Sequence, residues 1–304
     1  MFAVKTMNGR LINRRGLHGA SGKLCLTIIL LLGNLTGFCQ VDMFFPLNKE
    51  FDWSIVEKKN HELKTKFIES QPNEFEYYRQ NEDYMPALSD LENHLHIIDF
   101  NGDGMDDVIF HGESGVEAKQ VMIFINTGLS FVKIFAEYQE IHKLVFENGK
   151  AYQFYIQDGG CCCEYIGINK IYTVDYSSEF PKINLTSQLQ YIDKMEYPSH
   201  YFDKPVKFEV LNDKYNIRFS PVIDDTTEVL YCGEPQNGNS LGKIKSGSTG
   251  YALAEKVDST GRIWWYVALH PQSEIYESMY YDDTIRPDTY KLGWISSRFV
   301  KQCE

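Results

Sequence analysis

Residues 95–110 read LHIIDFNGDGMDDVIF. Two short apolar runs, LHII and DVIF, flank a stretch of oxygen-bearing residues punctuated by Gly102 and Gly104. Counting from Asp99, side-chain oxygens fall at positions 1, 3, 5 and 9, on Asp99, Asn101, Asp103 and Asp107. Calcium takes about six to eight hard oxygen ligands, and closely spaced carboxylates can wrap one ion. Gly104 permits the sharp turn such a loop needs, and the Met105 carbonyl would add a backbone ligand. An EF-hand requires a bidentate Glu at position 12 and helices on both sides. Here position 12 is Phe110 and both flanks read as strands. Carboxylates packed this closely repel one another without a cation. The spacing therefore predicts a calcium ion in a structural rather than a catalytic role, against the plainer alternative of a polar Asn-Gly/Asp-Gly turn that holds no metal.

The strand texture continues downstream through VMIFIN (121–126), FVKIFAEY (131–138), KLVFEN (143–148), AYQFYIQ (151–157) and KIYTVDY (170–176). Turn signals separate the runs, and Asn148-Gly149 is the best of them for a tight hairpin. This pattern predicts an antiparallel β-meander. Upstream, residues 40–94 are rich in Glu, Lys and Asn. Trp53, Val56, Leu63, Phe67 and Ile68 recur at spacings that suit one face of a helix, which Pro72 would end. A weaker helical pattern runs through 75–93 around Tyr77, Tyr84, Leu88 and Leu91. Residues 181–205, with Pro181, Pro198 and Pro205, read as a linker or irregular crossing, and strand-like segments resume at KFEVLN (207–212). The expected fold is mainly β with an N-terminal helical segment. The expected divisions are 1–39, 40–94, 95–205 and 206–304. No unit of 20–50 residues recurs, so the sequence does not support a full solenoid or propeller.

The chain has 304 residues and a formal net charge of −12. Residues 1–39 carry Lys5, Arg10, Arg14, Arg15 and Lys23 and no acidic residue, which leaves the remainder with 25 basic and 42 acidic side chains, a net −17. So acidic a body disfavours nucleic acid and anionic membrane surfaces as partners. After the basic stretch, LCLTIILLL (24–32) and the small residues Gly37 and Cys39 complete the pattern of a secretory signal peptide cut between Cys39 and Gln40. The run is short for a transmembrane anchor. A lipobox reading would lipidate Cys39, but Phe38 precedes it where a small residue belongs. The segment resembles the signals of exported proteins of Gram-negative bacteria, so the expected location is periplasmic or extracellular. No later segment is apolar enough for a membrane-spanning helix.

An oxidising compartment permits disulfides, and Cys161, Cys162, Cys163, Cys232 and Cys303 are the candidates. Adjacent cysteines rarely meet disulfide geometry, so the triplet is expected to bond elsewhere, and Cys232 could pair with Cys303. The triplet also admits soft-metal, redox or nucleophilic readings. The last would need a base such as His94, His96, His111 or His142.

Two resemblances sharpen these expectations. The pattern of Asp99, Asn101, Asp103 and Asp107 between two strands resembles the calcium loop of FG-GAP (integrin-propeller) repeats, present here once. The C-terminal section resembles bacterial SH3-like (SH3b) domains in four blocks in the same order: Asn216-Ile217-Arg218 with Ser220-Pro221, Leu241 to Gly247, Trp264-Trp265-Tyr266-Val267, and Gly293-Trp294-Ile295-Ser296. The resemblance implies an SH3-like β-barrel over 206–304 that binds a cell-envelope ligand such as a peptidoglycan peptide. Alternation in 264–267 puts Trp265 and Val267 on one face and Trp264 and Tyr266 on the other. One pair would fill a core and the other would line a groove, for which Tyr251, Trp264 and Tyr266 are the candidates. Trp294 is expected in the core.

The expected function is thus an exported, non-enzymatic binding protein that recognises an envelope ligand or protein partner. One alternative is a cell-wall hydrolase or accessory that uses the Cys161–Cys163 loop, although no nucleophile signature surrounds it. Another is an inhibitor or immunity-like partner of a basic protein, for which the acidic body would speed association.

Overall fold

The short apolar runs fold as strands and the turn signals between them as hairpins. The computed structural model describes residues 51–71, 73–75, 78, 88–114, 119–158, 165–231, 233–280 and 287–303. The expected signal peptide, Tyr77, Tyr84, Cys161, Cys162, Cys163 and Cys232 lie outside the described residues.

Strands β1 (Leu95–Ile98), β2 (Asp107–Glu113), β3 (Lys119–Asn126) and β4 (Phe131–Tyr138) form a four-stranded antiparallel sheet in sequence order. The pleat sorts their side chains. Leu95, Ile97, Val108, Phe110, Met122 and Phe124 join the buried cluster of Phe67, Ile68, Phe75 and Tyr78. Ile98, Ile109, Val121, Ile123 and Ile125 join a second cluster with Ile141, Phe154 and Ile156. Both faces of this sheet are therefore covered, which explains its near-continuous apolar runs.

The helical face over Phe67 and Ile68 belongs to α1 (His61–Ser70). Asn60 caps it by accepting a hydrogen bond from the Leu63 N–H at 3.1 Å. Trp53 and Val56, expected on the same helix, lie upstream of that cap. Trp53 belongs to a 3-10 turn (Trp53–Ile55) and stacks on His96 with ring centroids 3.6 Å apart. Phe67 packs against Phe75, Phe124 and Phe131, a burial worth roughly 1.5–3 kcal/mol. Within the second helical pattern, α2 (Leu88–Leu91) is followed by a 3-10 turn (Glu92–His94) that leads into β1.

A second meander follows: β5 (Glu140–Glu147), β6 (Lys150–Asp158), β7 (Ile166–Asp175) and β8 (Lys182–Ile192). Asn148 and Gly149 both take positive φ, 53° and 81°, as a tight hairpin between right-twisted strands requires. β8 corrects the linker reading of 181–205. Pro181 precedes the strand rather than interrupting it, and an eleven-residue strand paired with β7 occupies the first half of that stretch.

The remaining strands are β9 (Val206–Val210), β10 (Tyr215–Arg218), β11 (Glu228–Tyr231), β12 (Glu234–Asn237), β13 (Ser240–Ile244), β14 (Thr249–Val257), β15 (Ile263–Leu269), β16 (Ile275–Tyr276), β17 (Thr289–Ser296) and β18 (Val300–Gln302). β11 and β12 form a separate hairpin. The others extend the second meander. β8 pairs in parallel with β17, and the path continues through β15, β14 and β9 to β18. β10 joins β13 and touches β17 at Arg218–Trp294, while β16 pairs with β13. The four blocks of the C-terminal resemblance thus lie on β10, β13, β15 and β17 or their edges, and one hydrogen-bonded path runs from β5 to β18 across residue 205.

Candidate functional sites

The loop from Asp99 to Asp107 joins β1 to β2 and is wound around its own carboxylates. Asp99 accepts the Gly102 N–H at Oδ1 (2.8 Å) and the Gly104 N–H at Oδ2 (3.0 Å). Asn101 Oδ1 accepts from the Asp103 N–H, and Asp103 Oδ1 from the Met105 N–H. The Asn101 amide donates to Asp103 Oδ2 at 2.8 Å. Gly102 and Gly104 take φ of 73° and 87°, a region L side chains enter at a cost. Asp103 and Met105 are exposed, Asp99 and Asn101 half-buried, and Asp107 buried.

Asp107 has the most constrained carboxylate. Oδ2 accepts the Phe100 N–H at 2.8 Å and the Asn101 N–H at 3.4 Å, and Oδ1 accepts the Asn126 N–H at 2.8 Å. Burial pushes its pKa up to about 6, against the lowering effect of those three N–H groups and with the Asp103 charge adding to the rise. Neighbouring Asp106 faces the N-terminal segment. Lys58 Nζ donates to its Oδ1 at 2.6 Å and Asn60 to its Oδ2 at 3.1 Å. Burial raises the Asp106 pKa, but these two hydrogen bonds outweigh it and leave the carboxyl below its usual value.

The loop also seats on the second meander. The Phe100 carbonyl accepts from the Ala151 N–H at 2.8 Å and from the Tyr176 hydroxyl at 3.1 Å. A Cβ on Gly102 would stand 3.0 Å from the Lys150 Cβ and 3.3 Å from the Gly149 carbonyl. A cleft of about 320 Å³ lined by Lys58, Asp99, Phe146 and Gly149 runs beside this contact. The loop therefore lies where three parts of the chain meet: the N-terminal segment, the first sheet and the β5–β6 hairpin.

The expected calcium ligands Asp99, Asn101, Asp103, Met105 and Asp107 thus share one tight turn. Their side chains supply oxygen alone, the chemistry calcium prefers, and each carboxylate oxygen has two lone pairs, so one N–H bond does not exhaust it. Neither Asp99 nor Asp103 forms an ion pair with a described residue. Among the described residues no group of three His, Cys, Asp or Glu side chains is drawn together as a metal cluster. Sequence reasoning missed Lys58, Asn60, Asn126 and Lys150. No local signal marks them, because their partners in the loop are 19 to 48 residues away.

Tyr251, Trp264 and Tyr266, expected to line a C-terminal groove, do not share one exposed face. Trp264 is 1% exposed and Tyr266 0%, so both are interior. β15 runs between β14 and β17, and residues 193–205 supply the cover over Tyr266, whose ring meets those of Tyr197, Tyr201 and Trp294. The Trp264 indole N–H donates to Asp258 at 2.9 Å. Trp265 is the half-buried member of the pair and packs edge-on against Phe208. Tyr251 stays half-buried on β14, beside Tyr290. Trp294 is fully buried, as expected, and its indole N–H donates to the Glu196 carbonyl at 2.6 Å.

Cys303 carries a free thiol among the described residues. The histidines considered as bases are held in structural contacts. His96 Nδ1 lies 3.2 Å from Glu57 Oε2 under the Trp53 ring, and His94 Nδ1 lies 3.2 Å from the His111 carbonyl. Burial lowers the pKa of His96 and of His111 to about 4. No helix among the described residues is long and apolar enough to cross a membrane. No family model, curated protein or solved structure matches the chain.

Proposed function

We propose that this chain is an exported, non-enzymatic binding protein of the periplasm or cell exterior. In this reading a structural calcium ion is held by Asp99, Asn101, Asp103, Asp107 and the Met105 carbonyl. Residues 206–304 form an SH3-like section that recognises a cell-envelope ligand, either a peptidoglycan peptide or a protein partner.

One observation carries the calcium part. The Asp99 carboxylate gathers the Gly102 and Gly104 N–H groups while neither Asp99 nor Asp103 has an ion-pair partner among the described residues. The loop uses backbone hydrogen bonds to orient acidic side chains that make no ion pair among the described residues, at a junction of three segments where Lys58, paired with Asp106, is a cation whose charge reaches Asp99 and Asp107. A bound calcium ion supplies positive charge there and tightens that junction. The side chains of this chain orient the loop, bury Asp107 beneath it and tie Asp106 to Lys58 and Asn60.

The binding part is tested by co-sedimentation of the purified mature chain with isolated peptidoglycan, in calcium and in EDTA. The expected result is saturable retention in calcium and weaker retention after chelation, because the loop seats on the β5–β6 hairpin, whose sheet continues to the C-terminal strands. Failure to sediment under both conditions would contradict the peptidoglycan reading and leave a protein partner as the ligand.

A further inference from the structure

Arginine is scarce in the body of this chain. Residues 40–304 hold five: Arg79, Arg218, Arg262, Arg286 and Arg298. Three of them act on one phenol. Burial raises the Tyr215 pKa, and the charges of Arg262, Arg298 and Arg218 oppose that rise. Beside Tyr215 lies a pocket of about 120 Å³ whose wall includes Lys214, Arg218, Arg262, Trp264 and Ser296. These residues come from distant parts of the sequence: the turn and strand at β10, one end of the β15–β17 pair, where Trp264 stands opposite Ser296, and the turn before β15.

The charges in this pocket are unequally compensated. Arg218 is 3% exposed, and its Nη1 donates to Asn239 Oδ1 at 2.7 Å and to the Asp224 carbonyl at 3.1 Å and pairs with Asp225 at 2.8 Å. Lys214 and Arg262 form no ion pair with any described residue. Lys214 is also held at a φ of 53°, a conformation that favours Gly or Asn over a long side chain. Ser296 is 5% exposed, and its hydroxyl has no hydrogen-bond partner among the described residues, although its carbonyl accepts the Tyr215 hydroxyl at 2.7 Å. In a body of net charge −17, a small pocket lined by two cations that form no ion pair with a described residue, one of them (Arg262) lying over the Trp264 ring at 5.7 Å, and by a serine whose buried hydroxyl has no partner among the described residues, is an exception to the prevailing chemistry.

We infer that this pocket binds a carboxylate group carried by the ligand. The planar guanidinium fork of Arg262 suits a planar carboxylate. Lys214 adds charge at the rim, and the Ser296 hydroxyl gains an acceptor. The Trp264 ring and Ile223 give the adjoining carbon atoms apolar surface. The inference gives a ligand chemistry to the binding function proposed above, and it rests on that reading for the source of the carboxylate alone.

The test uses the full mature chain labelled with nitrogen-15. Acetate is titrated at constant ionic strength against chloride, and the Trp264 indole N–H resonance, assigned with Trp264→Phe, is followed. A saturable shift is expected with acetate and none with chloride. Arg262→Gln, a change at a partly exposed site, and Ser296→Ala should each weaken the apparent affinity by about tenfold, in line with loss of one charge-assisted or buried hydrogen bond. The exposed Lys207→Gln should leave it unchanged. A shift no larger with acetate than with chloride, an equal response in Arg262→Gln, or saturation by inorganic phosphate but not by acetate would each overturn the assignment. Acetate binding without retention on peptidoglycan leaves the pocket standing and removes the wall as the source. Retention without acetate binding does the reverse.

Discussion

Asp107 shows how one carboxylate can hold a loop. It satisfies three backbone N–H groups, two from the β1 side of the β1–β2 turn and one from the end of β3. Asp107→Ala should lower unfolding free energy by about 2–4 kcal/mol, because buried donors at Phe100 and Asn126 lose their acceptor. Urea denaturation monitored by tryptophan fluorescence reads this loss. Gly102→Ala should cost about 1–2 kcal/mol, since the residue sits at φ 73° and its Cβ would press on Lys150. The loop positions were legible in the sequence, because side-chain oxygens at fixed short intervals are a local pattern. The clamp by Lys58 and Asn60 was not, because it depends on where a distant segment folds back.

Two buried histidines give a second residue-scale prediction. His96 and His111 have folded pKa values of about 4, lowered chiefly by burial, against about 6.5 in an unfolded chain. Between these values the unfolded state binds more protons. The histidine contribution is therefore full above about pH 6.5 and falls as the pH drops towards 4, by up to a few kcal/mol in all, partly offset by Asp107, whose pKa raised to about 6 acts in the opposite sense. Urea midpoints between pH 7 and pH 4.5 should show this fall, and His111→Gln should shallow it. A flat profile would contradict the buried, neutral assignment.

At the scale of elements, β15 shows what alternation can and cannot tell. The period of two correctly paired Trp264 with Tyr266 and Trp265 with Val267, but it does not say which face is covered. The cover over Tyr266 comes from Tyr197 and Tyr201, in a proline-bearing stretch that reads as a linker. The same stretch concealed β8, whose ladder to β7 brings Gly167 opposite Tyr191. A Cβ on Gly167 would fall 2.1 Å from the Tyr191 ring, so Gly167→Ala should displace that ring. The expected cost is about 1–3 kcal/mol, read as a lower melting temperature. The hairpins between β2 and β7 were legible because each rests on adjacent runs and a local turn. The parallel pairing of β8 with β17 joins segments about a hundred residues apart, and no local pattern signals it.

For the whole molecule, the path from β5 to β18 ties the second meander to the C-terminal strands. Buried residues of β6, β7 and β8 share a cluster with Trp264, Tyr266 and Trp294. Calorimetry of the mature chain should therefore give one cooperative transition over these sections, and two separated transitions would show that residue 205 divides independent units. The body's net charge of −17 is unevenly placed at this scale: Asp99, Asp103, Asp106 and Asp107 gather in one loop, while Arg218 and Arg262 line one pocket. The most direct test is calorimetric titration of the calcium-free chain with calcium chloride, paired with melting in calcium and in EDTA. The account predicts saturable heat and a melting temperature that rises with calcium and falls on chelation. No binding heat together with an unchanged melting temperature would contradict it.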